Sequence, residues 1–302
     1  MDRKFRTFVL INPVAGQQGA EDVEGAIASR LEEKKGEFEI CRIQPGDDVR
    51  KVAEAAVRRG YNVVVAAGGD GTVSSVASAL VNKDAMLGII PSGTWNSLAR
   101  NLDIPLDLSQ AMDLIVQAPD ARTIDVLEVD NNFYTLNVSV GIAATLMQKL
   151  DRKDIRRLGR FTFLYKGALQ LLGHSPFRFT VHMNGRTTSF RASELIVANC
   201  GIVGMKNIRL DPDIHMDDGK FNVCRIYARS LRDYLSLAIS MLTGRQKKDR
   251  RVVCWEGTDE IRIESKQRIP VQGDGEQVGH LPVTIKLRPH ALKIVIPHRE
   301  PA

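Results

Sequence analysis

The chain has 302 residues, of which 43% are hydrophobic and 26% are charged, so it can bury a large core and its length favours two domains. This composition excludes an intrinsically disordered chain. The 42 Lys and Arg residues exceed the 36 Asp and Glu residues and give a net charge of +6, which favours anionic partners such as nucleotides, acidic lipid surfaces or nucleic acid.

The spacing of the cysteines and the length of the apolar runs indicate in which cellular compartment the protein is expected. The four cysteines are widely separated and form no C-x-x-C pair, which indicates neither a disulfide framework nor a zinc site and fits a reducing cytoplasm. The apolar run at residues 8–11 is too short for a signal peptide, and no stretch reaches the roughly 18 apolar residues of a membrane span. We therefore expect a cytoplasmic protein that reaches any lipid partner from the aqueous side.

The first part of the chain alternates short apolar runs with helical patterns. The apolar runs are typical of buried strands and lie at residues 7–11, 37–43, 63–67 and 87–90. The helical patterns lie between them, at residues 22–35, 49–59 and 73–81. This order predicts an α/β domain over residues 1–123 with an open, mostly parallel sheet, in which ligands bind beyond the carboxyl ends of the strands.

The remainder, residues 124–302, is predicted to be a β-rich second domain, separated from the first by a cleft. Asn184-Gly185 lies between two β-branched runs, which is a strong hairpin signal. Further strands are predicted at residues 193–198, 221–227, 260–264, 283–287 and 292–296. The pattern leaves open whether the last residues pack back on the first domain.

A glycine-rich sequence, Gly68-Gly69-Asp70-Gly71-Thr72, follows the predicted strand at 63–67 and precedes a helical pattern. Glycine lets the backbone come close to a ligand, and the free N–H groups at a helix start favour phosphate. Thr72 adds a hydroxyl, and Asp70 beside phosphates would indicate a metal ion or a proton relay. Taken alone, the motif also fits a tight turn without a ligand.

Two other strand ends repeat this design. Gly93-Thr94-Trp95-Asn96 follows the strand at 87–90, and a loop with Asn12, Pro13 and Gly16 follows the strand at 7–11. Three such loops at one edge of a parallel sheet predict a nucleotide-phosphate site. The glycine spacing matches neither the Walker pattern nor the dinucleotide-binding pattern.

Five motifs in a fixed order make the sequence resemble the diacylglycerol kinase catalytic family, and within it the soluble bacterial lipid kinases of the YegS type. The motifs are Asn12-Pro13-x-Ala15-Gly16, Gly68-Gly69-Asp70-Gly71-Thr72, Gly93-Thr94-x-Asn96, Asp218-Gly219 and Gly273-Asp274-Gly275-Glu276. The resemblance covers nearly the whole chain. It implies an α/β nucleotide domain followed by a β-sandwich-like domain, with ATP and a lipid meeting in the cleft.

The resemblance also implies which residues bind ATP and magnesium. ATP would contact the three N-terminal loops, that is residues 12–16, residues 68–72 and the loop of Gly93, Thr94 and Asn96. A Mg²⁺ site would lie at Asp218, with main-chain oxygens of His215 and Lys220 as further ligands.

The catalytic carboxylate is implied in Gly273-Asp274-Gly275-Glu276. Transfer from ATP to an alcohol needs a carboxylate that orients and deprotonates the hydroxyl. Glu276 is the expected proton acceptor, Asp274 is the alternative, and a solvated turn without a chemical role is the third interpretation. Asp125 resembles the acid that the family carries between its domains.

Several positions depart from the family pattern and keep other functions open. The four positions are Ser74, Ser75, Ser97 and Asn222. Many family members carry a carboxylate or an amide at positions of this kind. One alternative is a kinase of a soluble acceptor, similar to NAD kinases, and another is a catalytically eroded protein that only binds nucleotide or lipid. Nucleic-acid binding is disfavoured because no basic stripe is interleaved with aromatic residues.

Two basic segments are candidates for contact with an anionic membrane. Residues 152–172 form an amphipathic helical pattern with a basic face, for which packing against the core is the alternative. A second cluster contains Arg245, Lys247, Lys248, Arg250 and Arg251, for which an ordinary solvated loop is the alternative. Edge strands of the second domain leave a homodimer open.

Overall fold

The computed structural model describes residues 5–13, 20–33, 37–117, 120–149, 175–202, 210–211, 213–245 and 249–297. The chain divides into two compact units. Unit 1 comprises Met1–Val126 and Pro289–Ala302, and unit 2 comprises Leu127–Arg288.

Unit 1 is built on a parallel sheet. Its elements are β1 (Arg6–Ile11), α1 (Ala20–Glu33), β2 (Glu37–Arg42), α2 (Val49–Arg58), β3 (Val63–Gly68), α3 (Asp70–Leu80), β4 (Met86–Pro91), α4 (Ser97–Asn101) and α5 (Leu108–Val116). The strands pair in the order β2-β1-β3-β4, and every pairing among them is parallel. The loops after β1, β3 and β4 therefore leave the sheet at the same edge.

Burial explains the apolar composition of these strands. All six residues of β3 are buried, as expected of a central parallel strand that is covered on both faces. One core cluster joins β1 and β3 to the inner faces of α1 and α5, through residues such as Val9, Val65, Ile27 and Ile115. Asp48 and Asp107 begin α2 and α5, where their carboxylates accept the N–H groups of Lys51 and Gln110.

Unit 2 contains two antiparallel layers. The remaining elements are β5 (Asp120–Val129), β6 (Asn132–Tyr134), β7 (Asn137–Gly141), α6 (Ile142–Lys149), β8 (Phe177–Met183), β9 (Arg186–Ala192), β10 (Glu194–Ala198), β11 (Phe221–Ile226), α7 (Leu231–Leu242), β12 (Val252–Gly257), β13 (Glu260–Glu264), β14 (Pro270–Gly273), β15 (Glu276–His280) and β16 (Val283–Ile296). One layer has the order β12-β11-β10-β7-β14-β15, and the other contains β16-β13-β8-β9. Val197 and Phe221 from the first layer share a core with Phe179 and Ile261 from the second.

The chain passes between the units within two strands. β5 enters unit 2 after Val126, and β16 returns to unit 1 after Arg288, where its end pairs with β4 in parallel. In unit 1, the carboxylate of the fully buried Asp125 accepts the N–H group of His290, a residue with φ of 50°. Asp125 thus fixes the backbone at the point where β16 returns.

The predicted fold class is confirmed: an α/β unit with a mostly parallel sheet precedes a β-sandwich-like unit. Several local expectations differ. The two predicted strands at 283–287 and 292–296 form the single strand β16, and Asp70, expected in a loop, is the first residue of α3. Helices α6 and α7 were not predicted. Among the described residues, no helix has the length and apolar character that a membrane crossing requires.

The expectation of unpaired cysteines is wrong for two of the four. Cys224 and Cys254 form a disulfide bond across a sequence separation of 30 residues. They lie opposite each other in the antiparallel pair β11 and β12, which brings them together irrespective of their distance along the chain. The cysteines therefore do not indicate a reducing compartment.

Candidate functional site

The three glycine loops of unit 1 are tied together by hydrogen bonds. The Asn12 side-chain amide donates to the Thr72 hydroxyl at 2.9 Å, which joins the loop after β1 to the start of α3. The Ser92 N–H donates to the Gly68 carbonyl at 3.0 Å, which joins the loops after β3 and β4. The structure therefore brings together the loops in which nucleotide contacts were predicted.

Asp70 is held by the loop after β4. Its two carboxylate oxygens accept the N–H groups of Asn96 at 3.0 Å and Ser97 at 2.6 Å. These are the first N–H groups of α4, so Asp70 caps that helix from outside. Asp70 therefore has a structural role at the start of α4. Because Ser97 contributes its main-chain N–H, the serine side chain at this position does not affect the cap.

The same loop is closed by Asn96. This residue has a left-handed backbone, with φ of 48° and ψ of 50°, which asparagine tolerates better than most residues. Its side-chain oxygen accepts the Gly93 N–H at 2.9 Å, and its side-chain nitrogen donates to the Gly93 carbonyl at 3.0 Å. Thr94 and Trp95 lie exposed between them.

Close backbone contact explains two of the glycines. A Cβ atom added to Gly93 would lie 2.6 Å from the Gly69 Cα atom, and one added to Gly69 would lie 3.3 Å from the Gly93 Cα atom. The two loops can touch in this way only because neither residue has a side chain.

The start of α3 is suited to bind an anion. Gly69 is its N-cap residue and provides no side-chain acceptor for the N–H groups of the first turn. The helix then runs for 11 residues, so its dipole adds a partial positive charge at this end. The first turn of α4, in contrast, is already capped by Asp70.

In unit 2, Asp274 and Gly275 form the two-residue turn between β14 and β15. Both residues have positive φ, 49° for Asp274 and 86° for Gly275, as two-residue hairpin turns of the Asp-Gly type require. Gly273 precedes the turn and packs against the Tyr134 ring, which a Cβ atom would meet at 2.4 Å.

The Asp274 carboxylate is surrounded by donors from one short segment. One oxygen accepts the Thr135 N–H at 2.8 Å and the Thr135 hydroxyl at 3.1 Å. The other accepts the N–H groups of Leu136 at 2.9 Å and Asn137 at 3.0 Å. Burial raises the pKa of the Asp274 carboxyl, while these donors act in the opposite direction. Four donors anchor this carboxylate, so it fixes the turn to the β6–β7 segment.

Glu276 differs from Asp274 in its environment. It begins β15 and is exposed. Tyr134 lies near both acids, and burial together with the charges of Asp274 and Glu276 raises the pKa of its phenol to about 12. Of the two predicted catalytic acids, Glu276 therefore has the more accessible carboxylate.

The predicted magnesium ligands lie in one short segment. Asp218 and His215 are exposed, and one Asp218 carboxylate oxygen accepts the Lys220 N–H at 3.0 Å. The Lys220 ammonium pairs with Glu256 at 2.9 Å. One carboxylate with nearby main-chain oxygens fits Mg²⁺ in donor type, since this ion keeps several waters. Within the described part of the chain, no three His, Cys, Asp or Glu side chains are grouped to hold a metal ion.

Some predicted positions cannot be placed. Gly16, the segment 152–172, Lys247 and Lys248 lie outside the described residues. Pro13 is exposed after β1, and Arg251 pairs with Asp249 at 2.8 Å.

One group of contacts around Asp274 is not predicted by the sequence. The donors to Asp274 come from Thr135, Leu136 and Asn137, and the buried Asn199 supports them by donating its side-chain amide to the Thr135 carbonyl at 2.9 Å. Most of these contacts use main-chain atoms, which leave no residue-type signal in the sequence.

Two family models match the chain. The diacylglycerol kinase catalytic domain matches residues 6–129, and the YegS C-terminal NAD kinase beta sandwich-like domain matches residues 136–296.

Individual proteins are similar over almost the full chain. The diacylglycerol kinase of Bacillus subtilis (strain 168) is 26% identical, over 92% of this chain and 91% of its own length. The diacylglycerol kinase of Staphylococcus aureus (strain MRSA252) is 27% identical, over 92% of this chain and 88% of its own length. A crystal structure of a diacylglycerol kinase from Bacillus anthracis str. Sterne has the same fold, with a TM-score of 0.79 and 20% identity over 98% of this chain and 99% of that chain.

Proposed function

Because the chain belongs to the diacylglycerol kinase family, a family of kinases that phosphorylate an alcohol group, we propose that it transfers the γ-phosphoryl group of ATP to a hydroxyl of diacylglycerol or a related lipid. The observation that carries this proposal is the linked set of loops in unit 1. Asn12 contacts Thr72, Asp70 contacts the start of α4, and Gly69 contacts Gly93.

In this proposal, unit 1 holds the nucleotide. The N–H groups in the first turn of α3 donate to phosphate oxygens, and Gly68, Gly69 and Gly71 let those oxygens approach the backbone. The hydrogen bonds among the loops hold the donors in place before ATP binds. Such pre-organisation matters in phosphoryl transfer, where catalysis depends on positioning and on stabilising charge.

Unit 2 supplies the proton acceptor. We assign Glu276 to accept the proton of the acceptor hydroxyl, because its carboxylate is exposed at the end of a fixed turn. Asp274 positions Glu276, since its own carboxylate already accepts four hydrogen bonds. Asp218 would hold Mg²⁺ with main-chain oxygens of His215 and Lys220, and the ion would supply positive charge to the phosphate groups.

The test is phosphate transfer from γ-labelled ATP with magnesium to separate acceptors: diacylglycerol, phosphatidylglycerol, sphingosine and NAD. We expect label in a lipid and none in NAD. Label in NAD alone would replace the lipid with a soluble acceptor. ATP binding without transfer to any acceptor would contradict the proposed activity and favour a binding protein.

We further propose that the protein works in the cytoplasm, on the surface of a membrane that presents the lipid. Fractionation of cells in low and high salt tests this location. We expect a membrane-associated fraction that high salt releases, because surface charges are screened by salt.

A further inference from the structure

Helix α7 presents two large apolar side chains to solvent. Leu235 is 63% exposed and Ile239 is 55% exposed, the two highest values among large hydrophobic side chains of the described residues. They are four positions apart and so lie on one helix face. Leu237 is buried on the opposite face, where Met241 packs against the same core cluster. The fold therefore buries the inner face of α7 and leaves Leu235 and Ile239 exposed on the outer face.

The outer face is held in a fixed orientation. Ser230 and Asp233 form a capping box at the start of α7. Arg251 ties the helix to the strand that follows, because its guanidinium donates to the Ser236 hydroxyl at 2.7 Å and to the Asp233 carbonyl at 3.2 Å. Leu235 and Ile239 therefore lie on a helix whose position is fixed by these hydrogen bonds.

Exposed basic residues lie on this helix and in the segment that follows it. Arg232 lies on α7 itself, and Arg245 and Arg250 follow the helix; all three are exposed. In the described part of the chain, no ion pair joins any of the three to a carboxylate. The nearby acids are already used, since Asp249 pairs with Arg251 and Asp233 accepts capping hydrogen bonds.

We propose that the outer face of α7, formed by Leu235, Ile239 and Arg232 together with Arg245 and Arg250, docks on an anionic lipid bilayer. The apolar side chains enter the boundary between head groups and acyl chains, and the arginines stay at the level of the phosphates. A short helix with this division of residues lies in the plane of the interface.

The charges favour a bilayer over a second copy of the chain. A symmetric dimer through this face would pair two copies of the same basic surface, which offers the arginines no opposite charge. Two apolar side chains also provide far less area than the roughly 1,000 Å² or more that a stable protein interface buries. An anionic leaflet, in contrast, offers opposite charge to every arginine.

This docking proposal rests on the proposed function in one respect: the lipid acceptor is the reason why the protein would bind a membrane. Binding to vesicles that contain neither acceptor nor ATP does not depend on phosphoryl transfer. The docking proposal and the proposed kinase activity can therefore be contradicted independently.

The experiment is sedimentation of the full chain with vesicles of phosphatidylcholine, with and without phosphatidylglycerol. We expect binding that requires phosphatidylglycerol and weakens in high salt. Leu235→Ser combined with Ile239→Ser is expected to weaken binding by roughly tenfold or more, through lost apolar transfer. Arg232→Gln, Arg245→Gln and Arg250→Gln are each expected to weaken it by about fivefold.

Matched controls lie elsewhere on the surface. Leu106→Ser removes a side chain that is 39% exposed, and Lys83→Gln with Lys266→Gln removes exposed charges. These variants are expected to bind as the wild type does. With a short-chain, water-soluble acceptor, the α7 variants are expected to keep the wild-type turnover.

Three results would overturn the proposal: wild-type protein that ignores phosphatidylglycerol, α7 variants that bind as the wild type does, or control variants that weaken binding as much as the α7 variants. Analytical ultracentrifugation tests the alternative that this face is a contact between two copies of the chain. If the α7 variants convert a dimer to a monomer and retain vesicle binding, the face is a contact between copies of the chain.

Discussion

The sequence Gly-Asp-Gly occurs in both units, at the start of α3 in unit 1 and in a hairpin turn in unit 2. The glycine before the aspartate has a close neighbour in each unit, since a Cβ atom added to Gly69 would lie 3.3 Å from the Gly93 Cα atom and one added to Gly273 would lie 2.4 Å from the Tyr134 ring. The glycine after the aspartate differs between the units: Gly71 lies inside α3, and Gly275 has φ of 86° with no atom within 4 Å of an added Cβ. The aspartates resemble each other more closely. Asp70 and Asp274 both accept main-chain N–H groups from a distant loop.

This comparison indicates that an acid between glycines need not react. In each unit the aspartate joins two segments, and the groups suited to chemistry lie beside it. These groups are the N–H groups of the first turn of α3 in unit 1 and the carboxylate of Glu276 in unit 2. Substitutions at these positions separate the anchoring residues from the residues that we propose to react.

The largest effect is expected from Glu276→Gln. Loss of the proton acceptor should lower the turnover number by about 10²- to 10⁴-fold. The melting temperature should stay unchanged, because the side chain is exposed. Glu260→Gln, at an exposed acid of β13, is the control and should behave as wild type. If Glu276→Gln kept most of its turnover, the assignment of the proton acceptor would be wrong.

Gly93→Ala tests the contact between loops in unit 1. The new Cβ atom would lie 2.6 Å from the Gly69 backbone, so the loops must separate. We expect ATP affinity, measured by calorimetry, to fall by roughly tenfold, since displaced donors lose their alignment. Gly25→Ala in α1 has open space around the new atom and should bind ATP normally. Normal binding by Gly93→Ala would rule out these loops as the nucleotide site.

Asp274→Asn tests the anchor in unit 2. The substituted side chain would place an NH₂ group where one carboxylate oxygen now accepts N–H groups of Thr135, Leu136 or Asn137. At least one of these donors would then lose its acceptor. We expect the free energy of unfolding, measured in urea, to fall by about 1–3 kcal/mol. Asp130→Asn, at an exposed turn residue, should change it little. Unchanged stability in Asp274→Asn would contradict the anchoring role.

Glu194 offers a contrast to the half-buried Asp274, because its carboxylate is buried and accepts fewer hydrogen bonds. One carboxylate oxygen accepts the Ala143 N–H at 2.9 Å, and the other has no hydrogen-bond partner among the described residues. Burial raises the pKa of Glu194 from 4.5 to about 7. The folded state therefore binds this proton more tightly than the unfolded state, and stability falls as pH rises through the interval between these two values.

The pH dependence can be measured in urea at several pH values. We expect the wild type to lose up to roughly 3 kcal/mol across this interval, and Glu194→Gln to remove most of that slope. Glu260→Gln should retain the slope. An equal slope in wild type and Glu194→Gln would assign the pH dependence to other groups.

Local patterns explain why unit 1 was easier to predict than unit 2. Each of its strands is a short apolar run followed directly by its own loop, and parallel pairing brings the loop ends to one edge. The contact between Gly69 and Gly93 then follows from neighbouring strands β3 and β4.

The proposed site in unit 2 depends on contacts between residues that are distant in sequence. Asp274 is 139 residues from Thr135, and its other donors are main-chain N–H groups that any residue type provides. The disulfide of Cys224 and Cys254 likewise follows from strand register. Helix α7 has apolar residues on its inner and outer faces, so it lacks the one-sided periodicity by which an amphipathic helix is recognised.

The distinction between anchor and proton acceptor is tested most directly by the pH dependence of kcat/KM for phosphoryl transfer in wild type, Asp274→Asn and Glu276→Gln. If Asp274 positions and Glu276 reacts, Asp274→Asn lowers the whole profile but keeps its acidic limb, and Glu276→Gln loses that limb. The opposite pattern, with the limb lost in Asp274→Asn and kept in Glu276→Gln, would make Asp274 the proton acceptor and contradict the account.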